Sequence, residues 1–425
     1  PFSYTSILEA QRNLYRLGIF SRVDIQPEQV GTSLADRNVS IQVEEGKDLT
    51  IAGSVGITKR SGDKFTPLGS ASIAHRNLFG TGRYLGLELV GGGDRKEVFL
   101  TFREPFIFNY DLPLQLTILQ NDERRRGAHI RERGGFIEAT KVYRAQTRWS
   151  ARYEYRIGDC IVEKTVGDIC SLAEMALLPG YDRSITDIKI SSITPTFFWD
   201  HRDDAIDPHR GFLTSASLEY AFPFAQATAS FTKEFAQAAY YFPVSQRSVF
   251  AVSARVGLIQ PLRGVGESGV PISERFTAGG EASHRAFPLD LLGSLCLEDG
   301  DTPDNCKPTL VRPTDPATGK MGSILPLGGR GLMIVNAEYR FPIFSSLGGA
   351  AFVDAGEVNA NSTINFGQLR YGAGLGLRYL SPVGPLRFDI GMPLHRRVTA
   401  RDPITGKPTE LERSYVYFIT LGYAF

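Results

Sequence analysis

The sequence predicts an all-β fold, a 16-stranded antiparallel transmembrane β-barrel preceded by a partial N-terminal α+β unit. Three observations carry this reading. From Leu49 onward apolar and polar residues alternate with a period of two, the mark of a strand with two unlike faces. Short turns and longer polar loops separate these segments in alternation, as in barrels that cross an outer membrane. The polar face is rich in ionised groups, which a dry sandwich core would exclude.

Residues 1–46 form the separate unit. Ile7, Ala10, Leu14 and Leu17 recur at helical spacing and give one apolar face that stops at Gly18. Two alternating stretches follow, Val23-Asp24-Ile25 and Val39-Ser40-Ile41-Gln42-Val43. A helix and a hairpin of this size bury little core alone, so the unit reads as the second half of a small α+β domain. The chain opens Pro1-Phe2-Ser3 with neither an initiator Met nor a basic-then-apolar leader, and the expectation is a trimmed chain with more sequence upstream.

Residues 47–425 are expected to form the barrel. Candidate strands are 49–60, 67–78, 82–92, 95–105, 112–121, 134–143, 145–158, 186–201, 211–222, 228–242, 247–261, 329–343, 346–357, 367–380, 384–394 and 413–425. Their even number permits closure with antiparallel neighbours. Trp149, Ala151, Tyr153, Tyr155 and Ile157 share one face and are assigned to lipid, as are Tyr371, Ala373, Leu375, Leu377 and Tyr379. The last strand turns Tyr415, Tyr417, Ile419, Leu421, Tyr423 and Phe425 the same way. The opposite face carries Arg148, Arg152, Arg156, Glu338, Arg340, Asp354, Arg378, Arg387 and Asp389, which suit a wet lumen. Long loops at 159–185, 262–328 and 395–412 are placed outside the cell and the short turns in the periplasm.

Composition narrows the function classes. Lys plus Arg number 47 against 46 Asp plus Glu, so no strong global field points to nucleic acid. No run of eighteen or more apolar residues offers a helical span, which leaves a barrel open. The four cysteines fall as Cys160 with Cys170 and Cys296 with Cys306, each pair in a polar loop, and read as two local disulfides of an oxidising compartment. Metal binding has no C-x-x-C or His pair to support it, and no cofactor is expected. Ser283 and His284 are adjacent, so their side chains diverge and make no nucleophile-base pair. Gly372, Gly374 and Gly376 alternate inside a strand and do not form a nucleotide loop. No enzyme activity is expected.

The longest loop opens Arg275-Phe276-Thr277-Ala278-Gly279-Gly280-Glu281-Ala282-Ser283-His284-Arg285-Ala286-Phe287. A loop of such length inside a compact domain needs a function or a cavity that receives it. This stretch resembles the sixth extracellular loop of the outer-membrane assembly insertases, the BamA and TamA superfamily, whose tip carries Val-Arg-Gly-Phe or Tyr. Here His284 and Ala286 stand at the aliphatic and glycine positions. Leu14-Tyr15-Arg16-Leu17-Gly18-Ile19-Phe20 resembles the end of the family's polypeptide-transport-associated (POTRA) domain. The turn from Trp199 to Gly211 resembles the one joining its eighth and ninth strands, with Asp200, Arg202 and Asp203 as a structural cluster. Leu380-Ser381-Pro382-Val383-Gly384-Pro385-Leu386 and the terminal Phe425 also fit.

The resemblance implies a latch in which Arg285, with Phe287 beside it, folds inward to meet Glu338 and Asp354; a guanidinium fork suits such acids. It implies a lateral seam between the first and last strands, where Gly53, Gly56 and Gly422 weaken the ladder and Phe425 ends it. The implied function is folding and insertion of β-barrel clients at that seam by strand addition. Implied partners are unfolded outer-membrane protein clients and outer-membrane lipid, with accessory lipoproteins or an inner-membrane partner left open. The implied location is a bacterial-type outer membrane with the N-terminal unit in the periplasm. A polypeptide secretion pore of the same superfamily and a passive porin are the alternatives, and the N-terminal unit speaks against the porin.

Overall fold

The computed structural model describes all residues except 1–3, 29–37, 59–65, 94, 109, 126–127, 144–145, 162–169, 171–187, 263–269, 299–305, 315–320, 345, 382–383, 403–404 and 422–425. Helix α1 (Tyr4–Arg16) is followed by an antiparallel pair, β1 (Phe20–Glu28) and β2 (Asn38–Glu45). The helix stops where Gly18 adopts φ +71°, a left-handed cap that glycine enters without strain. Tyr15 and Gln11 tie it to the hairpin: the Val23 N–H donates to the Tyr15 hydroxyl at 3.0 Å, and Gln11 Nε2 donates to the Val23 carbonyl at 2.7 Å. Val23 and Ile25 are buried, whereas Val39, Ile41 and Val43 stay exposed, so this unit buries little by itself.

The rest of the chain is dominated by one sheet of sixteen antiparallel strands. In order these are β3 (Leu49–Thr58), β4 (Thr66–Leu78), β5 (Arg83–Gly92), β6 (Arg95–Glu104), β7 (Leu114–Arg125) and β8 (Ala128–Tyr143). Then come β9 (Thr147–Cys160), β10 (Ile188–Asp200), β11 (Gly211–Ala221), β12 (Phe231–Pro243) and β13 (Val249–Pro261). A short ribbon of β14 (Leu310–Val311) and β15 (Leu325–Pro326) sits within the long loop. The sheet resumes with β16 (Gly331–Pro342), β17 (Leu347–Asn359), β18 (Arg370–Ser381) and β19 (Gly384–Pro393). A second ribbon, β20 (Val398–Arg401) with β21 (Pro408–Leu411), precedes the last strand, β22 (Val416–Leu421).

Each strand of the sheet pairs with its neighbour in sequence, and β13 pairs with β16 across the long loop. The ends are β3 and β22; among the described residues no pairing joins them, so the expected closure is not among the described pairs. The face assignment follows the alternation: Trp149, Tyr371, Leu375, Tyr379, Tyr415, Tyr417 and Ile419 are exposed, while Val416, between Tyr415 and Tyr417, is buried.

Two expectations are corrected. The stretch 122–133, expected as loop, is mostly strand, because β7 and β8 run on as a hairpin to Arg125 and from Ala128. Its ladder is held by charges, with Asp122 opposite Arg131 at 2.9 Å and beside His129 at 2.7 Å. The wet lumen expected for the charged face is also corrected in part. Glu338, Arg340, Asp354, Arg378, Arg387 and Asp389 are buried under the inward-folded loop, whereas Arg148 stays exposed. A cavity of about 470 Å³ lined by Glu138, Arg148, Arg152, Glu154 and Glu219 marks the part the loop leaves unfilled.

Candidate functional site: the inward-folded loop and the strand ends

The long loop has a closed neck. Phe276 and Gly329 exchange backbone hydrogen bonds of 2.8 and 2.9 Å. The Phe276 ring covers Gly257 on β13 so closely that a Cβ there would collide with it. Beyond the neck, Gly279 and Gly280 take φ +111° and +99°, a reversal that favours glycine. Ser283 Oγ stitches this turn, accepting from the Gly279 N–H and donating to its carbonyl, each at 2.9 Å. The Gly280 N–H then donates to the Phe287 carbonyl at 2.9 Å, so the tip is a self-closed turn that presents Arg285.

Arg285 is 1 % exposed. Its Nε and Nη2 clasp Asp354 on β17 at 2.9 and 2.8 Å, and its own backbone N–H donates to the same carboxylate at 2.9 Å. Nη1 donates to Glu338 on β16, and the guanidinium lies 3.5 Å from the centre of the Phe352 ring. The carboxylates are themselves held: Asn336 Nδ2 donates to Asp354 at 2.9 Å, Arg340 Nε to Glu338 at 2.8 Å and Arg378 Nη2 to Glu338 at 3.2 Å. The tip's carbonyls are gripped as well, Ser283 by Asn336 at 2.7 Å, Glu281 by Arg387 at 2.9 Å, and Ala282 by Arg255.

The strand register explains why this face receives a loop. Asn336, Asp354 and Gly372 form one cross-strand row, and Glu338, Phe352, Gly374 and Gly391 the next. The acids sit where the guanidinium lands, and glycines sit where backbone must pass. A Cβ on Gly372 would collide with Ala286, and one on Gly391 with the Arg285 carbonyl. Ala286 does not take a positive φ, so this position does not require glycine. Phe287 is buried edge-on to His284 at 4.8 Å, with Arg370 stacked on its ring at 4.5 Å, and His284 Nε2 lies 3.0 Å from the Arg370 carbonyl.

A second anchor has no counterpart in the sequence reading. Glu274, in a 3-10 turn of the loop (Ile272–Glu274), meets Arg156 of β9 at 2.9 Å and Lys233 of β12 at 3.4 Å. Arg156 also pairs with Glu219 at 2.9 Å. Glu154 and Glu219 already stand beside these two cations, so nothing in the sequence called for a further acid from the loop. A third element covers the loop from above: Glu412, just after β21, accepts from Arg370 Nη1 and from the Arg397 N–H at 2.9 Å each, and Arg401 Nε donates to the Leu297 carbonyl at 2.7 Å.

The other residues singled out fall as follows. Cys160 bonds to Cys170 and Cys296 to Cys306, with Cα separations of 5.6 and 5.7 Å. Cys170 packs against Leu325 and Leu327, where the loop returns toward β16. Asp200 takes a bidentate clasp from Arg202 at 2.9 Å for both bonds. Asp203 accepts from the N–H groups of Asp204, His209 and Arg210 at 3.0, 3.0 and 3.2 Å, and Gly211 takes φ +99° with no room for a Cβ beside the His201 carbonyl. Gly53 and Gly56 lie on β3, where crowding does not require glycine. Both faces of β3 are open, since residues 51–56 are all exposed, with Ile51 74 % and Val55 94 % exposed on one of those faces. Gly422 and Phe425 lie outside the described residues.

Together the sheet and the plugging loop define a class, that of wide antiparallel β-barrel proteins whose lumen holds one of their own loops. The Omp85 superfamily domain matches residues 77–406, and the chain belongs to that superfamily. It is 27% identical over 407 residues to the outer membrane protein assembly factor BamA of Nitratidesulfovibrio vulgaris, covering 92% of this chain and 45% of that protein. The chain thus spans less than half the length of this relative. In fold it resembles Haemophilus ducreyi BamA lacking POTRA domains 1–3, with a TM-score of 0.69 at 17% identity over 99% of this chain and 79% of that one. It also resembles CdiB from Acinetobacter baumannii, with a TM-score of 0.54 at 14% identity over 97% of this chain and 67% of that one.

Proposed function

We propose that this chain is the membrane-embedded part of an outer-membrane protein assembly factor, which folds and inserts β-barrel clients at a lateral seam between β3 and β22. The observation that carries the reading is the pairing of a rigidly latched lumen with a sheet whose first strand is open on both faces. The latch keeps β13 through β19 in one shape. Opening is then confined to the far ends of the sheet, where β3, which has one strand neighbour among the described residues, would take an incoming strand on its other edge. Backbone N–H and C=O groups cost several kcal/mol each in hydrocarbon if left bare, so a client strand that pairs with them is favoured.

In this reading residues 1–46 are the C-terminal part of a POTRA domain on the periplasmic side, and lipid contacts the exposed aromatic face. Client folding supplies the free energy, and no catalytic step or cofactor is assigned. Depletion of the protein is expected to lower many outer-membrane proteins together. A second reading, a polypeptide secretion pore, is favoured by the unfilled lumen beside β8–β11 and fits the likeness to CdiB. Loss of one exported polypeptide with normal membrane protein levels would establish that reading in place of the first.

A further inference from the structure

The turn between β10 and β11 lies on the rim opposite the one from which the long loop enters, yet an unbroken line of side chains connects it to Arg285. Arg202, clasped by Asp200, stands beside Tyr241 on β12, which pairs with Gly211 where the turn ends against the Arg202 backbone. Tyr241 is fully buried, and the guanidinium of Arg340 on β16 lies 5.7 Å from the centre of its ring. Arg340 Nε then donates to Glu338 Oε1 at 2.8 Å, and the other oxygen of Glu338 takes Arg285. Both ends of this line were singled out by sequence, and Arg340 as a lumen-facing charge; Tyr241 was not.

The register makes room for it. Tyr241 pairs with Gly211 on one side and Ala251 on the other, and Ala251 pairs with Glu338. Paired residues share a face, so the lumen row runs Gly211, Tyr241, Ala251, Glu338. With a glycine and an alanine flanking it, the phenol can reach the turn through its hydroxyl while its ring faces Arg340. The ring and the cation attract each other at this range. Glu338 is held through both oxygens: Oε1 accepts from Arg340, and Oε2 is shared by Arg285 and by Arg378 at 3.2 Å. If Arg340 moved, Glu338 would be free to turn toward Arg378, and Arg285 would lose one of its two acids.

We propose that Tyr241 and Arg340 are positioning residues that couple the Asp200–Arg202 turn to the seating of Arg285. A displacement of the turn is thereby passed to the latch along contacting side chains. The inference rests on the reading of Arg285 as a latch, so its test carries a control for that reading.

The full chain is reconstituted in lipid vesicles, and the rate of proteinase K nicking within the long loop is followed for Tyr241→Phe, Arg202→Gln, their double variant and Arg285→Ala. Tyr241→Phe keeps the ring and removes only the hydroxyl. Each single change is expected to speed nicking about threefold or more, and the double variant to be no faster than the faster single, the mark of a shared connection. Neither change should add anything in the Arg285→Ala background, whereas a general loss of barrel stability would. Unchanged nicking in Tyr241→Phe, or effects that multiply in the double variant, overturns the coupling while leaving the latch intact. Unchanged nicking in Arg285→Ala overturns the latch itself.

Discussion

Arg285 directs all three of its guanidinium nitrogens at two carboxylates that are wholly buried, so its removal leaves Glu338 and Asp354 short of their nearest partner. Breaking a buried pair in this way costs about 3–5 kcal/mol, more than the solvated value of such a bond, because the remaining charge has no water to turn to. Arg285→Ala is therefore expected to lower the temperature at which the barrel loses its heat-modifiable gel mobility and to expose the loop to protease. Arg285→Lys should not rescue it, since one ammonium cannot clasp Asp354 with two bonds and reach Glu338 as well. If the lysine variant matched the native chain in both assays, the planar fork would not be the operative feature. The glycine stripe tests the same seat from the other side. Gly391→Ala places a methyl against the Arg285 carbonyl and should weaken the latch by about 1–3 kcal/mol of overpacking, while leaving every charged group in place. Protection of the loop in that variant equal to the native level would sink the account of why these positions are glycine.

At the scale of elements, the turn between β10 and β11 shows how a short segment is held by its own carboxylates. Burial alone would raise the Asp203 carboxyl, but N–H donors from Arg210, His209 and Asp204 outweigh it and hold the group below its usual value. A depressed carboxylate stabilises the fold fully above its unfolded pKa of about 3.9 and loses that contribution as pH falls through the lowered value. Exchange protection of the His209 and Arg210 amides should thus stay level from neutral pH down to about 4 and fall only in stronger acid. A fall centred near pH 6 would point to an imidazole instead. This turn was readable from its residues because Asp, Pro and Gly announce such geometry. The far end of the β7–β8 hairpin was not, since Asp122, His129 and Arg131 hold their ladder by charge where apolar alternation is absent. Glu274 escaped for a related reason. An acid in a polar loop resembles any solvated residue until folding delivers it between Arg156 and Lys233, which lie far away in sequence. Arg285 stood out through its family-like neighbourhood, and the acids awaiting it stood out because they break the apolar habit of β16 and β17.

Across the whole molecule the loop is fastened at two places on different strands, by Glu274 to β9 and β12 and by Arg285 to β16 and β17. The ribbon formed by β20 and β21 adds a third tie, and because it leads directly into β22 it connects the loop's cover to one end of the sheet. Rigidity is therefore concentrated in β9 through β19, and the freedom to move lies toward β3. β3 has few neighbours on either face, with the charged inner surface and the plug both elsewhere. On the proposed function, a client strand that adds to β3 need not disturb the latch, which separates holding the shape from insertion. Cysteines placed across β3 and β22 and oxidised to a crosslink should then abolish client insertion while leaving loop protection and heat stability as they were. Reduction should restore insertion, with the chain that carries only the Cys160–Cys170 and Cys296–Cys306 disulfides reduced in parallel to control for their loss. Full insertion by a completely crosslinked protein would exclude lateral opening and move attention to the unfilled lumen beside β8–β11. Loss of loop protection on crosslinking would instead mean that the two ends of the sheet and the latch form one mechanical unit.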